Sequence, residues 1–238
     1  MVYNWLDTVC SALFPAGCAL CGAAADRELC AACHADLPHN RHACRCCAIP
    51  LPADAGEDAL CGPCQQHPPP YTACLAALRY QAPLDRLVTG LKFHGRLAHG
   101  RLLAELLGDY LETRGFTRPD LLVPVPLHPA RLRRRGYNQA LELARPLSKR
   151  FDLTLDVDAL RRRRDTQPQM ELDHRQRLRN MRGAFEAGAQ VRDRHVAVVD
   201  DVVTTGHTVE EAAKALLRAG AARIDVWACA RTPTTHHG

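Results

Sequence analysis

Residues 196–208 read Val-Ala-Val-Val-Asp-Asp-Val-Val-Thr-Thr-Gly-His-Thr. The first four form an unbroken apolar run, the pattern of a strand buried on both faces. Asp200 and Asp201 follow where that strand should leave the sheet. Adjacent carboxylates accept hydrogen bonds from sugar hydroxyls, and one can reach a metal through water. Thr204, Thr205, Gly206, His207 and Thr208 then make a small, hydroxyl-rich turn. Val209, Ala212, Ala213, Leu216 and Leu217 follow with helical spacing, and Gly220 is placed to stop that helix. The first amides of a helix lack intrahelical partners and its dipole adds partial positive charge, so a Thr/Gly loop there closes around a phosphate. An ordinary capped turn with solvated acids explains the loop alone. It does not explain paired acids behind a buried strand.

A second constellation lies near the N-terminus. Cys18 with Cys21, Cys30 with Cys33, Cys44 with Cys47 and Cys61 with Cys64 are four C-x-x-C knuckles. Two thiolates of one knuckle reach the same ion, and four complete a tetrahedral structural zinc site, so eight cysteines allow two sites. Spacing leaves open whether neighbouring knuckles pair or interleave. Cys46 is a possible alternative ligand, whereas Cys10, Cys74 and Cys229 lie in apolar surroundings and read as small core residues. His34, His39, His42 and His67 read as surface residues. Sites of four thiolates keep no position open for water, so the chemistry is expected elsewhere.

The chain has 238 residues, 47% of them apolar, and a net charge of +5. That length suits one medium domain plus a small module. No apolar run approaches the roughly 20 residues of a membrane span. Without a basic n-region or a long apolar h-region at the start, no secretory leader is expected. A reducing, cytoplasmic setting follows, in which 12 cysteines point to metal and not to disulfides. The charge is uneven: residues 131–182 hold 15 Arg and Lys against 7 Asp and Glu. That local excess is larger than the net charge of the whole chain and favours an anionic partner.

These groups need elements to position them. Residues 3–13 read as a short amphipathic segment ended by Pro15, and residues 65–70 as a stiff linker with three prolines. Beyond it, strands are expected at 75–80, 121–125, 156–160, 196–199 and 224–228. Helices are expected at 84–92, 97–110, 140–149 and 209–217. Residues 161–182, polar and arginine-rich, read as a loop or hairpin. Strands alternating with helices imply a parallel α/β sheet with binding loops at the carboxyl ends of its strands. The boundaries expected are a helix and double zinc-ribbon module at 1–68 and an α/β domain at 71–238.

Residues 198–208 resemble the signature of type I phosphoribosyltransferases, the loop that holds 5-phosphoribosyl-1-pyrophosphate (PRPP). The whole chain resembles the ComF/GntX family of phosphoribosyltransferase-like proteins. The matching pieces are Phe14-Pro15, the double zinc-ribbon cysteines, Leu91-Lys92-Phe93, Val123-Pro124-Val125-Pro126 and Arg135-Gly136-Tyr137-Asn138-Gln139. Thr166 with Gln169, Arg177 with Asn180, Phe185 and Ala230-Arg231-Thr232 complete the set. Ala48 stands where that family usually has glycine. The resemblance implies a type I phosphoribosyltransferase fold, a parallel-rich sheet flanked by helices, behind the zinc module. It implies PRPP contacts from Asp200, Asp201, Val202, Val203, Thr204, Thr205, Gly206, His207 and Thr208. Pyrophosphate and hood contacts are implied for Lys92, Arg131, Arg135, Asn138, Gln139, Thr166, Gln169 and Arg177, with Arg133 and Arg134 in the same basic loop. Asp200, Asp201 and Arg135 would carry the chemistry. Mg2+ with PRPP, structural Zn2+, single-stranded DNA, a helicase of the DNA-uptake machinery and a role in natural transformation are implied as well.

Two functions fit these residues. One is an enzyme that displaces pyrophosphate from PRPP. The other is a PRPP-sensing or single-stranded-DNA-binding module that keeps the fold without turnover. Residues 161–164, Arg-Arg-Arg-Arg, suit a phosphate backbone, but aromatics are only 5% of the chain and offer few stacking platforms. Phe93 and Tyr137 are candidate platforms that read better as core.

Overall fold

The computed structural model describes residues 17–25, 27–163 and 183–233. The expected N-terminal segment, Cys10, Thr166, Gln169, Arg177 and most of the arginine-rich stretch lie outside them. Two short helices belong to the cysteine-rich region, α1 (Ala31–Ala35) and α2 (Gly62–Gln66). Then follow β1 (Ala73–Arg79), α3 (Leu84–Phe93), α4 (Leu97–Arg114), β2 (Leu121–Pro124), α5 (Pro129–Arg135) and α6 (Gln139–Phe151). After them come β3 (Leu160–Arg162), β4 (Phe185–Ala187), β5 (His195–Val203), α7 (His207–Arg218) and β6 (Arg223–Arg231).

β1, β6, β5 and β2 lie side by side in that order, with every pairing parallel. A parallel sheet must be covered on both faces, and alternation along β5 does this. Ala197 and Val199 pack with Trp227 beneath Leu87, Leu91, Leu103, Leu107, Leu143 and Leu147 of α3, α4 and α6. Val196 and Val198 face the other way with Val226 and Ala228, against Val209, Ala212, Ala213 and Leu216 of α7. Each such leucine or valine contributes about 1.5–3 kcal/mol by leaving water.

Both edges of the sheet are occupied. His39 pairs antiparallel with Leu78, Asn40 N–H donates to Ala77 O at 3.0 Å and Arg79 N–H to Pro38 O at 2.7 Å, so the cysteine-rich region shields β1. Leu29 and Leu37 of that region enter the same core cluster as α3 and α4. At the other edge Leu155 bridges Leu122 in parallel.

β2 and β5 end at different heights. β2 pairs with β5 from Leu121 to Pro124, and Val125 N–H adds one bond to Val199 O at 2.9 Å. Pro126 has no N–H to donate, so the ladder stops there. β5 continues to Val203 beside β6 alone, which opens a crevice at the carboxyl end of β2. Two expectations need correction. Residues 156–160 do not form a strand of the main sheet: the strand is Leu160–Arg162, paired antiparallel with Phe185–Ala187. Residues 129–135 form a helix and not a basic loop, because Pro129 occupies its first turn, His128 Nδ1 caps Ala130 N–H at 3.3 Å and Gly136 closes it at φ +84°.

Candidate functional site

Asp200 and Asp201 lie inside β5, near its end, with their carboxylates close enough to interact. The strand outlasts the apolar run because β6 continues to pair with it. Each acid is fixed locally: Asp200 Oδ1 accepts the N–H of Asp201 at 2.9 Å, and Asp201 Oδ1 accepts that of Val202 at 2.8 Å. Asp201 is 6% exposed. Its Oδ2 lies 2.9 Å from Nζ of Lys92, in the last turn of α3. Burial works against the Lys92 charge, but the Asp201 carboxylate outweighs it and holds the ammonium above its usual range. Burial, and then the neighbouring Asp201 charge, pushes Asp200 well above the carboxylate range. With Asp200 raised to about 8, the pair holds close to one negative charge near neutral pH, the one that Lys92 faces.

Beyond the acids, Val202 and Val203 are buried while Thr204 and Thr205 are exposed. Gly206 takes φ +89°, a conformation that lets α7 start at His207 within one residue of the turn. The first amides of α7 face the same end of the sheet as the acids. His207 Nδ1 lies 3.7 Å from Glu210 Oε2 in that first turn.

A cationic side faces the acids. The last turn of α5 carries Arg133, Arg134 and Arg135. The Arg135 guanidinium lies 5.7 Å from the Phe93 ring centre, and burial lowers its pKa. Phe93 is 72% exposed, so the core reading of this ring does not hold. Tyr137, half-buried, donates from its hydroxyl to Leu91 O and ties the end of α5 to α3. Asn138 caps α6 by accepting from Ala140 N–H at 3.1 Å and donates to Val125 O at 3.0 Å, pinning the crevice wall. Gln139 is 4% exposed, with no partner for its Nε2 among the described residues.

The cysteines form two groups, Cys18, Cys21, Cys30 and Cys33, and Cys44, Cys47, Cys61 and Cys64. Neighbouring knuckles pair; they do not interleave. Within each group the four Sγ atoms lie within 4.8 Å of one another. Four thiolates about 2.3 Å from one zinc stand about 3.8 Å apart. Cys21 and Cys30 are 3.8 Å apart and Cys47 and Cys61 3.6 Å, so both groups fit structural zinc. Backbone N–H groups turn onto the sulfurs, Cys61 N–H to Cys44 Sγ at 3.3 Å and Cys33 N–H to Cys30 Sγ at 3.5 Å. Cys46 stands outside the second group, and Cys74 and Cys229 are core residues as expected. Ala48 takes φ +56°, which explains why a glycine suits this turn.

The structure thus gathers Lys92, Arg135, Asn138, Asp200, Asp201 and the 204–208 turn at one end of the sheet. Two further residues carry weight there. Glu211, 8% exposed on α7, accepts Gly183 N–H at 3.2 Å and anchors the end of the segment expected as a hood. Arg231 reaches the 204–208 turn from β6; its only sequence signal is its place in Ala230-Arg231-Thr232. Among the described residues no helix is long and apolar enough to cross a membrane.

Residues 137–236 match the family model described as phosphoribosyl transferase domain, and residues 9–75 match that of the double zinc ribbon domain. DNA utilization protein YhgH of Escherichia coli is 39% identical over 223 residues, covering 90% of this chain and 90% of that protein. Competence protein F of Haemophilus influenzae is 36% identical over 180 residues, 72% of this chain and 78% of that protein. Among solved structures, the glutamine PRPP amidotransferase from B. subtilis complexed with ADP and GMP aligns with 53% of this chain and 26% of its own, at 19% identity and a TM-score of 0.37.

Proposed function

The chain belongs to the family of DNA utilization protein YhgH and Competence protein F, with a type I phosphoribosyltransferase fold and a double zinc ribbon, and we propose that it binds PRPP in the service of DNA utilisation. The observation that carries this is the meeting of the Lys92–Asp201 pair, Asp200 and the amino end of α7 at the carboxyl end of β5. In α/β sheets ligands bind at that end of the strands.

In this reading the amides and hydroxyls of residues 204–208 hold the 5-phosphate of PRPP. Asp200 and Asp201 accept hydrogen bonds from the ribose hydroxyls, and those bonds favour the charged form of Asp200 that burial disfavours. Lys92, Arg131 and Arg135 meet the pyrophosphate, while Asn138 and Gln139 line the wall beside it. Breaking the bond from C1 to the pyrophosphate oxygen leaves positive charge on the sugar and negative charge on the leaving group. The carboxylates favour the first, and the cations of α3 and α5 favour the second. Asp200 and Asp201 would be the residues that hold Mg2+ with PRPP, and the ion would supply positive charge to neutralise the leaving group. Thr166, Gln169 and Arg177, which lie outside the described residues, are proposed as further contacts to the ligand.

The partners proposed are single-stranded DNA and a helicase of the uptake machinery, in the cytoplasm, with module boundaries at 1–68 and 71–238. One observation favours the sensing alternative: among the described residues the crevice gathers cations and two fixed carboxylates, with no group placed as a general base for an acceptor. Pyrophosphate release decides between them. Incubation with PRPP, Mg2+ and short single-stranded DNA or nucleobases should release pyrophosphate if the protein is a transferase. Binding without release selects the sensing module, and no binding overturns both.

A further inference from the structure

Arg231 ends β6 with 6% of its surface exposed. A buried guanidinium is stable only where its donors are matched. Here the acceptors are all backbone carbonyls. Nε donates to Cys47 O at 3.0 Å, and Nη1 donates to Val203 O at 3.0 Å, to Thr232 O at 3.2 Å and to Thr204 O. Cys47 is a ligand residue of the second cysteine group, Val203 ends β5 and Thr204 begins the 204–208 turn. One side chain therefore joins the zinc module to the phosphate loop.

The direction of those carbonyls matters. In a trans peptide the C=O and the following N–H point opposite ways. With the carbonyls of Val203 and Thr204 turned onto Arg231, the amides of Thr204 and Thr205 face away from it. Rotation of either peptide would bring a carbonyl oxygen towards the ligand and repel an anion. The Cys47 carbonyl holds the other end of the guanidinium, and zinc holds Cys47 by fixing its sulfur among three others.

We propose that Arg231 is the positioning residue of the phosphate loop: it turns the Thr204 and Thr205 amides towards a phosphate monoester and makes that arrangement depend on zinc at Cys44, Cys47, Cys61 and Cys64. The ligand class rests on the PRPP reading above; the linkage itself does not. It gives the zinc ribbon a task beyond its own folding, because the metal holds one end of the clamp that shapes the loop.

Arg231→Lys tests this, since lysine keeps the charge but presents a point ammonium in place of the fork. The variant should retain both zinc ions by metal analysis. The amides held by the loop carbonyls, Thr232 N–H on Val203 O at 3.0 Å and Glu210 N–H on Gly206 O at 2.9 Å, should exchange hydrogen about tenfold to hundredfold faster than in the unmutated chain, the range that losing one hydrogen bond to a charged group corresponds to. PRPP affinity should fall by a similar factor. Stripping zinc from the unmutated protein should speed exchange at the same amides, and stripping it from Arg231→Lys should add little further. Loop exchange within twofold of the unmutated chain, or effects of zinc removal and substitution that simply add, would overturn the linkage. If the exchange results hold while neither protein binds PRPP, the ligand assignment fails and the linkage stands.

Discussion

Replacing Lys92 with methionine removes the charge that faces the acidic pair while keeping most of the side chain's volume. Lys92 Nζ and Asp201 Oδ2 are 2.9 Å apart, with side-chain exposures of 26% and 8%. Removing one partner of a buried ion pair costs about 3–5 kcal/mol, because the other charge is left without compensation. Partial exposure of Lys92 admits water, so the lower end, about 3 kcal/mol, is expected near pH 9. For a domain of this size that lowers the melting midpoint by about 6–12 °C. The loss must depend on pH, and its sign is determined. Without the Lys92 charge, which lowers it, the folded-state pKa of Asp200 rises further above the unfolded value of about 4. A carboxylate with a raised folded pKa favours folding below its unfolded pKa and loses that contribution as pH rises through the raised value. The Lys92 contribution, with its own pKa raised, is complete below about 10.4 and so is fully present at pH 9. Urea unfolding of both proteins, zinc-saturated, at pH 6 and pH 9, on either side of the Asp200 value of about 8, reads the difference directly. The variant should lose clearly more at pH 9. An equal loss at both values, or less than about 1 kcal/mol at pH 9, would refute the buried-pair reasoning.

Other expectations follow from single contacts. Gly206→Ala places a side chain at φ +89°, at a cost of about 1–2 kcal/mol; a urea series should show this loss, and PRPP titration an affinity lower by about tenfold. Alanine at residues 161–164 should weaken single-stranded DNA binding more than PRPP binding. The effect should be smaller than four free arginines would give, because Arg161 pairs with Asp158 at 3.3 Å and Arg163 with Glu186. Gel shifts across a salt series measure it, and an unchanged slope would remove this run from the DNA surface. Chelation should release two zinc ions per chain, unfold the module at 1–68 and expose the β1 edge to association; absence of zinc from freshly purified protein would end the metal assignment.

Much of this architecture was legible because local chemistry and global packing agree. The strand–turn–helix at 196–217 shows itself through an apolar run, a glycine and a helical apolar face, and all three survive into β5 and α7. Helices at 84–93 and 97–114 follow from leucine spacing that matches the core they enter. The boundary of β5 was hidden, because Asp200 and Asp201 read as strand breakers and only pairing with β6 keeps them in the ladder. The helix at 129–135 was hidden by its arginines, although Pro129 and Gly136 bracket it. Phe93 was misread because an aromatic beside a leucine-rich helix has no sequence mark of exposure; its ring instead meets Arg135. Which knuckles share an ion, and where Arg231 points, depend on contacts between residues far apart in the chain. Periodicity carries no information about those.

The central claim is that the acidic pair and the turn after it form a PRPP site. The most direct test is calorimetric titration of the zinc-replete protein with PRPP and Mg2+, beside the same titration of the Asp200→Asn, Asp201→Asn double variant. The unmutated chain should bind one PRPP, and the double variant should stay folded, keep its zinc and show no measurable binding. Equal affinity in the two proteins, or no heat from either, would contradict the account.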